Sequence, residues 1–304
     1  MLAIMSEVTS IGRDQMITTP HDISGSLTLI GTPIGNLGDL TPRAAQALAD
    51  ADTILAEDTR VSVKLLNHIG VSTQLERCDE HTIRQRTPQL VERIRAGEKV
   101  AFVSDAGMPG ISDPGQVLVD AILDAGLSVT VAPGPSAVPT AIALSGLDAE
   151  TYYFAGFPPR KPSAFTVAME PLARIPGALV FFESPHRVQA TLGLLAQEFP
   201  LRRGAVVREL TKLHEEVVRG LLPELAERMD RRDAVKGEIV IVVEAPSAEE
   251  LAQLSRDAQT VDLTEFIELR QSQGASKSSI AKEAAARFGI PRKEIYESLV
   301  QDEE

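Results

Sequence analysis

The chain has 304 residues, which at roughly 100–200 residues per domain favours two domains. Its residues are 43% hydrophobic and 24% charged, a composition that provides material for packed cores and argues against disorder. Its single cysteine, Cys78, excludes an intramolecular disulfide, and with only five scattered histidines we predict no bound metal. No apolar run reaches the ~20 residues that span a bilayer, and the net charge of −13 disfavours a nucleic-acid partner unless basic residues cluster locally.

The first half of the chain alternates short apolar runs with helical stretches. Residues 1–25 lack periodicity and predict a flexible extension, in which Met5 and Met16 are alternative starts. Beyond it, strands are predicted at 27–30, 53–56, 100–103 and 129–131, and helices at 41–50, 61–69, 88–96, 113–125 and 137–144. This pattern predicts an N-terminal α/β domain over residues 26–147, with a largely parallel sheet and ligands bound outside the carboxyl ends of its strands.

The second half repeats the alternation and then becomes helical. Strands are predicted at 152–155, 178–182, 205–208 and 238–243, and helices at 164–172, 185–197 and 223–229, which gives a C-terminal α/β domain over residues 148–245. Residues 246–304 predict a helical appendage, in which Gly289 ends one helix and Pro291 starts the next. This outline is typical of a helix-turn-helix, but an ordinary helical hairpin has the same pattern.

Four turns of the N-terminal domain are rich in glycine, proline and acidic residues, and each follows a predicted strand. "GTPIGNLGD" at 31–39 allows a close backbone approach to a ligand, although it is neither a P-loop nor a dinucleotide fingerprint. "AEDTR" at 56–60 places Glu57 and Asp58 where they could bind ribose hydroxyls or cap the next helix.

The third and fourth turns strengthen the interpretation that these turns bind a ligand. In "SDAGMPGISDPG" at 104–115, Asp113 is expected to cap the next helix, which leaves Asp105 as the functional candidate. "APGPSAVPTAIALSG" at 132–146 places Gly134 beside a helix start. The four turns together predict a site for a flat, polar-edged cofactor held mainly by backbone groups, and the missing P-loop lysine argues against ATP hydrolysis.

Residues 151–243 are the one part of the chain that is not acidic, with 13 Lys and Arg against 11 Asp and Glu. Charged groups follow predicted strands there in "FFESPHR" at 181–187, "RELTK" at 208–212 and "KGE" at 236–238. Each is individually typical of a solvated strand end, but together they could line a cleft that faces the cofactor turns.

Seven segments in this order resemble a known family: "LIGTPIGNLGDLTPRA", "AEDTR", "SDAGMPGISDPG", "PGPSAVPTA", "FFESPHR", "RELTK" and "KGEIVIVVE". The chain is similar over about residues 26–245 to the ribose 2′-O-methyltransferases of small-subunit ribosomal RNA, which belong to the tetrapyrrole methylases. The resemblance implies two α/β domains with S-adenosylmethionine in the cleft between them, and a homodimer. It also implies that the substrate is a cytidine in the decoding centre of 16S rRNA, on the small ribosomal subunit. The single cysteine separately predicts a cytoplasmic location, because it fits a reducing compartment.

The resemblance also assigns residues. The cofactor-binding candidates lie in the first, third and fourth turns and are Pro33, Gly35, Asp105, Ala106, Gly107, Ile111, Gly134 and Ser136. The RNA-binding candidates are Arg160, Lys161, Arg187, Arg208 and Lys236. The segment "FAGFPPRKPSAF" departs from the family pattern, because the next basic residue after Lys161 is Arg174.

Methyl transfer to a ribose hydroxyl needs a group that removes the hydroxyl proton, and it needs no metal. Strand-end position makes Glu183, Glu209 and Glu238 the candidate bases, with Lys212 as a further catalytic candidate that stabilises charge.

Two other functions remain open at this point. The same cofactor turns would serve a tetrapyrrole C-methyltransferase of the uroporphyrinogen or precorrin type, against which the charged second-domain segments and the helical tail weigh. A non-enzymatic nucleotide-sensing or nucleic-acid-binding module would use the tail as its reader, but residues 244–304 carry 7 basic against 13 acidic side chains.

Overall fold

In the computed structural model, which describes residues 25–110, 115–272 and 274–301, the first unit is built on a parallel five-stranded sheet. Its strands are β1 (Ser26–Ile30), β2 (Thr53–Ala56), β3 (Gln74–Arg77), β4 (Lys99–Val103) and β5 (Ser128–Ala132), in the order β3-β2-β4-β1-β5. Its helices are α1 (Pro42–Asp50), α2 (Thr59–Ile69), α3 (Ile83–Arg95), α4 (Gly115–Asp124) and α5 (Ala137–Ser145). The predicted α/β fold class is confirmed.

Side chains that alternate along the central strands fill a separate core on each face of this sheet. Leu27 and Phe102 lie in one core, whereas Ile30 and Val103 lie in the other. Burial on both faces explains why these strands read as continuous apolar runs in the sequence. Full burial of a side chain such as Phe102 contributes about 2–3 kcal/mol.

Two elements of this unit differ from the sequence-based prediction. The predicted helix at 88–96 begins earlier, at Ile83, directly after a turn that Asp79 and Thr82 close: the Thr82 amide donates to Asp79 Oδ1, and the Asp79 amide donates to Thr82 Oγ1, each at 3.0 Å. Pro88 therefore lies inside the helix, on its exposed face. Strand β3 was not predicted, because its sequence QLER is mostly polar.

An ion-pair network joins β3 to α3. Arg93 donates from Nε to Glu98 Oε2 at 2.7 Å and from Nη1 to Glu76 Oε2 at 3.1 Å, and Arg86 also pairs with Glu76. These side chains are only about a fifth exposed. Hydrogen bonds from Arg93 hold the pKa values of Glu76 and Glu98 below their ordinary range, although partial burial opposes the shift.

We expect Arg93→Met to lower the free energy of unfolding by about 2–3 kcal/mol at neutral pH, because two half-buried carboxylates lose their donor. Folding depresses both pKa values, so the stabilisation is present above the carboxyls' unfolded-state pKa and is lost as pH falls through the lowered folded values. Denaturant titrations from pH 7 to pH 3 should therefore show the two proteins converging in acid. Arg95→Met, which breaks only the exposed Arg95–Glu92 pair on the same helix, should cost less than about 0.5 kcal/mol. Equal losses in the two variants would contradict the prediction.

The second unit contains a mixed sheet. Its strands are β6 (Tyr152–Gly156), β7 (Ala178–Glu183), β8 (Arg203–Arg208), β9 (Glu216–Leu221) and β10 (Ile239–Val243), in the order β6-β7-β10-β8-β9, with helices α6 (Pro162–Leu172), α7 (Val188–Glu198) and α8 (Leu222–Asp230). Strand β7 is parallel to β6 and antiparallel to β10. Among the described residues, those up to Leu144 group by contact with Val207–Val217, and Ser145–Val206 group with those from Val218 onward. The segment Val207–Val217, inside the predicted C-terminal domain, thus clusters with the first unit.

The C-terminal residues are helical, as predicted. Helices α9 (Ala248–Ser272), α10 (Lys277–Phe288) and α11 (Arg292–Gln301) follow the second sheet, and the last two share a small core around Ile280, Ile295 and Leu299. Gly289 ends α10 in a left-handed conformation, with φ of 70°. Within the described ranges, no helix is both long and apolar enough to cross a bilayer.

Candidate functional site

The turns after β1 and β4 are joined at the carboxyl edge of the parallel sheet. The Thr32 amide donates to the Gly107 carbonyl at 2.9 Å, and the Gly107 amide donates back to the Thr32 carbonyl at 3.1 Å. Buried Thr32 also donates from its hydroxyl to the Ser104 carbonyl at 3.3 Å. Gly107 has φ of 82°, a conformation that side chains other than glycine rarely adopt. The predicted third turn is thus fixed against the first.

The turns after β1 and β5 touch through glycine backbone. A Cβ built on Gly31 would lie 2.5 Å from Gly134 N and 2.7 Å from Met108 Sδ, and a Cβ on Gly134 would lie 2.6 Å from Gly31 O. The Gly134 amide donates to Met108 Sδ at 3.3 Å. No larger residue fits at either position without displacing backbone, so three of the four predicted turns meet at one place.

The turn after β2 is tied to the turn after β4 by Asp105. The carboxylate of this exposed residue accepts a hydrogen bond from the Asp58 amide at 2.9 Å. Asp58 caps α2, accepting from the Arg60 amide at 2.9 Å, and it pairs with the Arg60 guanidinium at 2.6 Å. The hydrogen bonds from Arg60 lower the pKa of Asp58 from 3.8 to about 2. Asp58 therefore acts as a helix cap, and the Asp105 carboxylate remains exposed at the edge of the site.

The segment 207–217 brings two of the catalytic candidates to the first turn. A Cβ on Gly35 would lie 2.6 Å from Lys212 Cγ and 2.9 Å from both the Leu210 carbonyl and Thr211 Oγ1. Lys212 Nζ lies 2.8 Å from Glu209 Oε1. Glu209 and Thr211 have positive φ angles of 53° and 63°, the only such angles outside glycine in the described residues. Backbone strain of this kind costs about 1–3 kcal/mol and is concentrated at functional sites.

Glu183 lies in a different environment, inside the second unit. Its side chain is fully buried, and it accepts from the Ser184 amide at 2.7 Å and from Thr191 Oγ1 at 2.6 Å, with Arg187 Nη2 at 3.2 Å. Arg187 also donates to the Pro158 carbonyl at 2.7 Å. These contacts fix the start of α7. The roles of Glu183 as base and Arg187 as RNA ligand stay predictions.

Most of the remaining charged candidates are exposed, whereas the Arg208 side chain is largely buried. Arg160 and Lys161 are exposed at the start of α6, and Lys236 and Glu238 are exposed before β10. Arg208 donates from Nε to Glu216 Oε2 at 3.0 Å.

Among the cofactor candidates, Pro33 and Ser136 are half-buried and Ala106 is exposed. Ile111, with the expected cap Asp113, lies outside the described residues.

Sequence reasoning missed three contributors to this edge of the sheet. Thr32 joins two turns, Met108 accepts from Gly134, and the Thr211 hydroxyl lies buried beside Gly35 with no hydrogen-bond partner among the residues described. The neighbouring glycines and charged residues marked these segments as candidate turns in the sequence. No sequence signal, however, distinguishes a threonine that links two turns by hydrogen bonds from one that faces solvent.

In the part of the chain that the structure describes, no three His, Cys, Asp or Glu side chains are grouped so that they could hold a metal ion.

Comparison with known proteins identifies the family. The sequence profile of the tetrapyrrole (corrin/porphyrin) methylases matches residues 26–226. The chain is 37% identical to the ribosomal RNA small subunit methyltransferase I of Halalkalibacterium halodurans, over 93% of this chain and 97% of that one. It is 36% identical to the Bacillus subtilis protein of the same name, over 94% and 98%. The structure of uroporphyrin III C-methyltransferase from Thermus thermophilus superposes with a TM-score of 0.52 at 20% identity, over 72% of this chain and 97% of that one. The chain therefore belongs to the tetrapyrrole methylase family and, within it, to the ribosomal RNA small subunit methyltransferase I proteins.

Proposed function

We propose that this chain transfers the methyl group of S-adenosylmethionine to the ribose 2′-oxygen of a cytidine in the decoding centre of 16S rRNA. The observation that carries the proposal is the similarity over nearly the whole chain to proteins named ribosomal RNA small subunit methyltransferase I. The structural relative that acts on a tetrapyrrole matches 72% of the chain, at an identity that reflects a common fold.

The first unit fits a methyl donor of this kind. Gly31 and Gly134 allow the backbones of two turns to approach closely, and Gly107 supports the adjoining turn. Asp105 offers an exposed carboxylate for hydroxyl or ammonium groups, and the Thr211 hydroxyl is the unpartnered polar group beside Gly35. Pro33, Ala106 and Ser136 complete the set that we propose for donor binding. When bound, the sulfonium supplies an electrophilic methyl group, and no metal is needed.

The contacts of the first unit favour Glu209 and Lys212 among the catalytic candidates. As the bond from the 2′-oxygen to the methyl carbon forms and the carbon–sulfur bond breaks, the hydroxyl proton must pass to a base. We assign proton acceptance to Glu209, which Lys212 orients through the 2.8 Å ion pair. Contact between Lys212 and Gly35 places this pair against the proposed donor-binding turn.

The remaining proposals concern the partner and the cell. Exposed Arg160, Lys161 and Lys236 would bind the rRNA phosphates, and Arg187 and Arg208 are further candidates for RNA binding. We also propose a homodimer, as the family resemblance implies, and a cytoplasmic location, which light scattering of the purified protein and cell fractionation, respectively, would test.

Labelled methyl transfer tests the proposed reaction. Small subunits from cells that lack the gene are incubated with the protein and methyl-labelled S-adenosylmethionine, and the rRNA is then hydrolysed in alkali. We expect label in an alkali-resistant dinucleotide, because a methylated 2′-oxygen cannot attack the neighbouring phosphate. Label in mononucleotides would instead establish base methylation. No label on rRNA, together with label on uroporphyrinogen, would establish the tetrapyrrole alternative.

A further inference from the structure

An exposed aromatic ring lies close in sequence to the basic residues that follow β6. The side chain of Phe157 is 60% exposed, although phenylalanine is usually buried. Arg160 and Lys161, both exposed, follow within four residues, which span at most roughly 14 Å. An exposed ring next to cations is the combination with which proteins bind unpaired nucleotides, because bases stack on the ring while phosphates meet the charges.

The end of strand β6, just before this ring, is irregular. The pairing of β6 with β7 shifts register between Phe154 and Gly156, and Gly156 then adopts φ of 66°. A bulge of this kind turns the following side chain away from the direction that a regular strand would give it. The open space around Gly156 shows that its left-handed backbone, and not a lack of room, requires glycine here.

The ring is also held in place. Phe157 packs edge-to-face on Phe182, with centroids 5.7 Å apart and an interplanar angle of 64°, and Phe182 packs in the same manner on Phe154 at 4.7 Å. On the other side, Arg187 anchors the Pro158 carbonyl at 2.7 Å, and Pro158 itself is buried. A supported ring loses little conformational entropy when a ligand binds it.

We infer that Phe157 is a stacking platform for an unpaired base of the rRNA substrate, with Arg187 as the residue that positions its loop. The inference rests on the proposed function, because it names how that substrate is recognised. Stacking on one face is compatible with any base, so Phe157 contributes affinity for unpaired RNA more than sequence choice.

Methylation kinetics test the platform. Phe157→Ala should raise the KM for small subunits by roughly 5- to 50-fold, with kcat and donor affinity within about twofold of wild type. Phe157→Tyr, which keeps a ring, should restore KM to within about threefold, whereas Phe157→Leu, which keeps only apolar volume, should behave as alanine does. A wild-type KM for Phe157→Leu or Phe157→Ala would overturn the inference, and so would a change of oligomeric state in light scattering. If the wild-type protein labelled no rRNA, the proposed function itself would fail, which is a separate result.

The chain has no tryptophan, so one introduced at this position is a unique fluorescent reporter. A short oligocytidylate should quench Phe157→Trp, because stacking brings a base onto the indole, and the same strand paired with its complement should not. Val167→Trp, at a 68% exposed position on α6, is the matched control and should show no quenching. Equal quenching of both reporters, or of neither, would refute the stacking platform.

Discussion

Gly134→Ala is expected to weaken S-adenosylmethionine binding by roughly 10- to 100-fold and to lower the free energy of unfolding by about 1–3 kcal/mol. The new Cβ would lie 2.6 Å from Gly31 O and 2.7 Å from Gly31 C, and both are backbone atoms of the adjoining turn. Neither atom can rotate away as a side chain could, so the turns after β1 and β5 must separate. Isothermal titration of the purified variant with the donor measures the effect directly.

The matched control for this substitution is Gly193→Ala in α7. A Cβ at Gly193 meets nothing within 4 Å, and alanine is favoured over glycine in a helix interior by roughly 0.5–1 kcal/mol. The control should therefore bind the donor as wild type does and unfold at a slightly higher denaturant concentration. If Gly134→Ala retained wild-type donor affinity, the close approach of Gly31 and Gly134 would have no part in donor binding.

Glu209→Gln is expected to reduce kcat by about 100- to 1,000-fold while donor affinity stays within about twofold of wild type. The amide cannot accept the hydroxyl proton, although it keeps the shape of the carboxylate and a hydrogen bond to Lys212. Single-turnover methylation of small subunits, with the donor saturating, separates this loss from any loss of binding.

Glu209→Gly distinguishes a catalytic role from a structural one. Glycine removes the strain of a φ angle of 53°, so this variant should be as stable as wild type or more stable by about 1 kcal/mol, yet it should lack turnover. Glu227→Gln breaks an exposed ion pair with Arg231 on α8 and serves as the control that leaves kcat unchanged. Wild-type turnover in Glu209→Gln combined with its loss in Glu183→Gln would move the role of base to Glu183.

The strands made of apolar runs could be predicted from the sequence, but two edge strands with polar residues, β3 and β9, could not. β2 was predicted at its observed bounds, and β1, β4 and β5 to within one residue at each end, because continuous apolar runs need no alternation to be recognised. β3 and β9 lie at the ends of their sheets, where one side of the strand and part of its side chains face solvent. Their polar residues carry no strand signal without the neighbouring strand.

The candidate site, too, could be predicted only in part from the sequence. Turns around Gly31, Asp105 and Gly134 could be found because glycine and proline mark unusual backbone. Gly35 and Lys212 lie far apart in the chain, and no local sequence pattern predicts that they come close together in the fold. From the sequence, Glu183 and Glu209 could not be distinguished, because both are carboxylates near a predicted strand end. In the structure, Glu183 is buried with two close donors, whereas Glu209 lies on a strained turn.

The clustering of Val207–Val217 with the first unit has a consequence for how such genes can recombine. A single crossover after residue 144 would combine the strand-end turns of one parent with the 207–217 turn of the other. Gly35 and Lys212, which leave no room for a Cβ between them, would then come from different ancestors. A chimera that exchanges residues 26–144 and 207–217 together keeps that fit. Shuffled libraries of these genes should accordingly yield functional proteins mainly when the two segments share a parent.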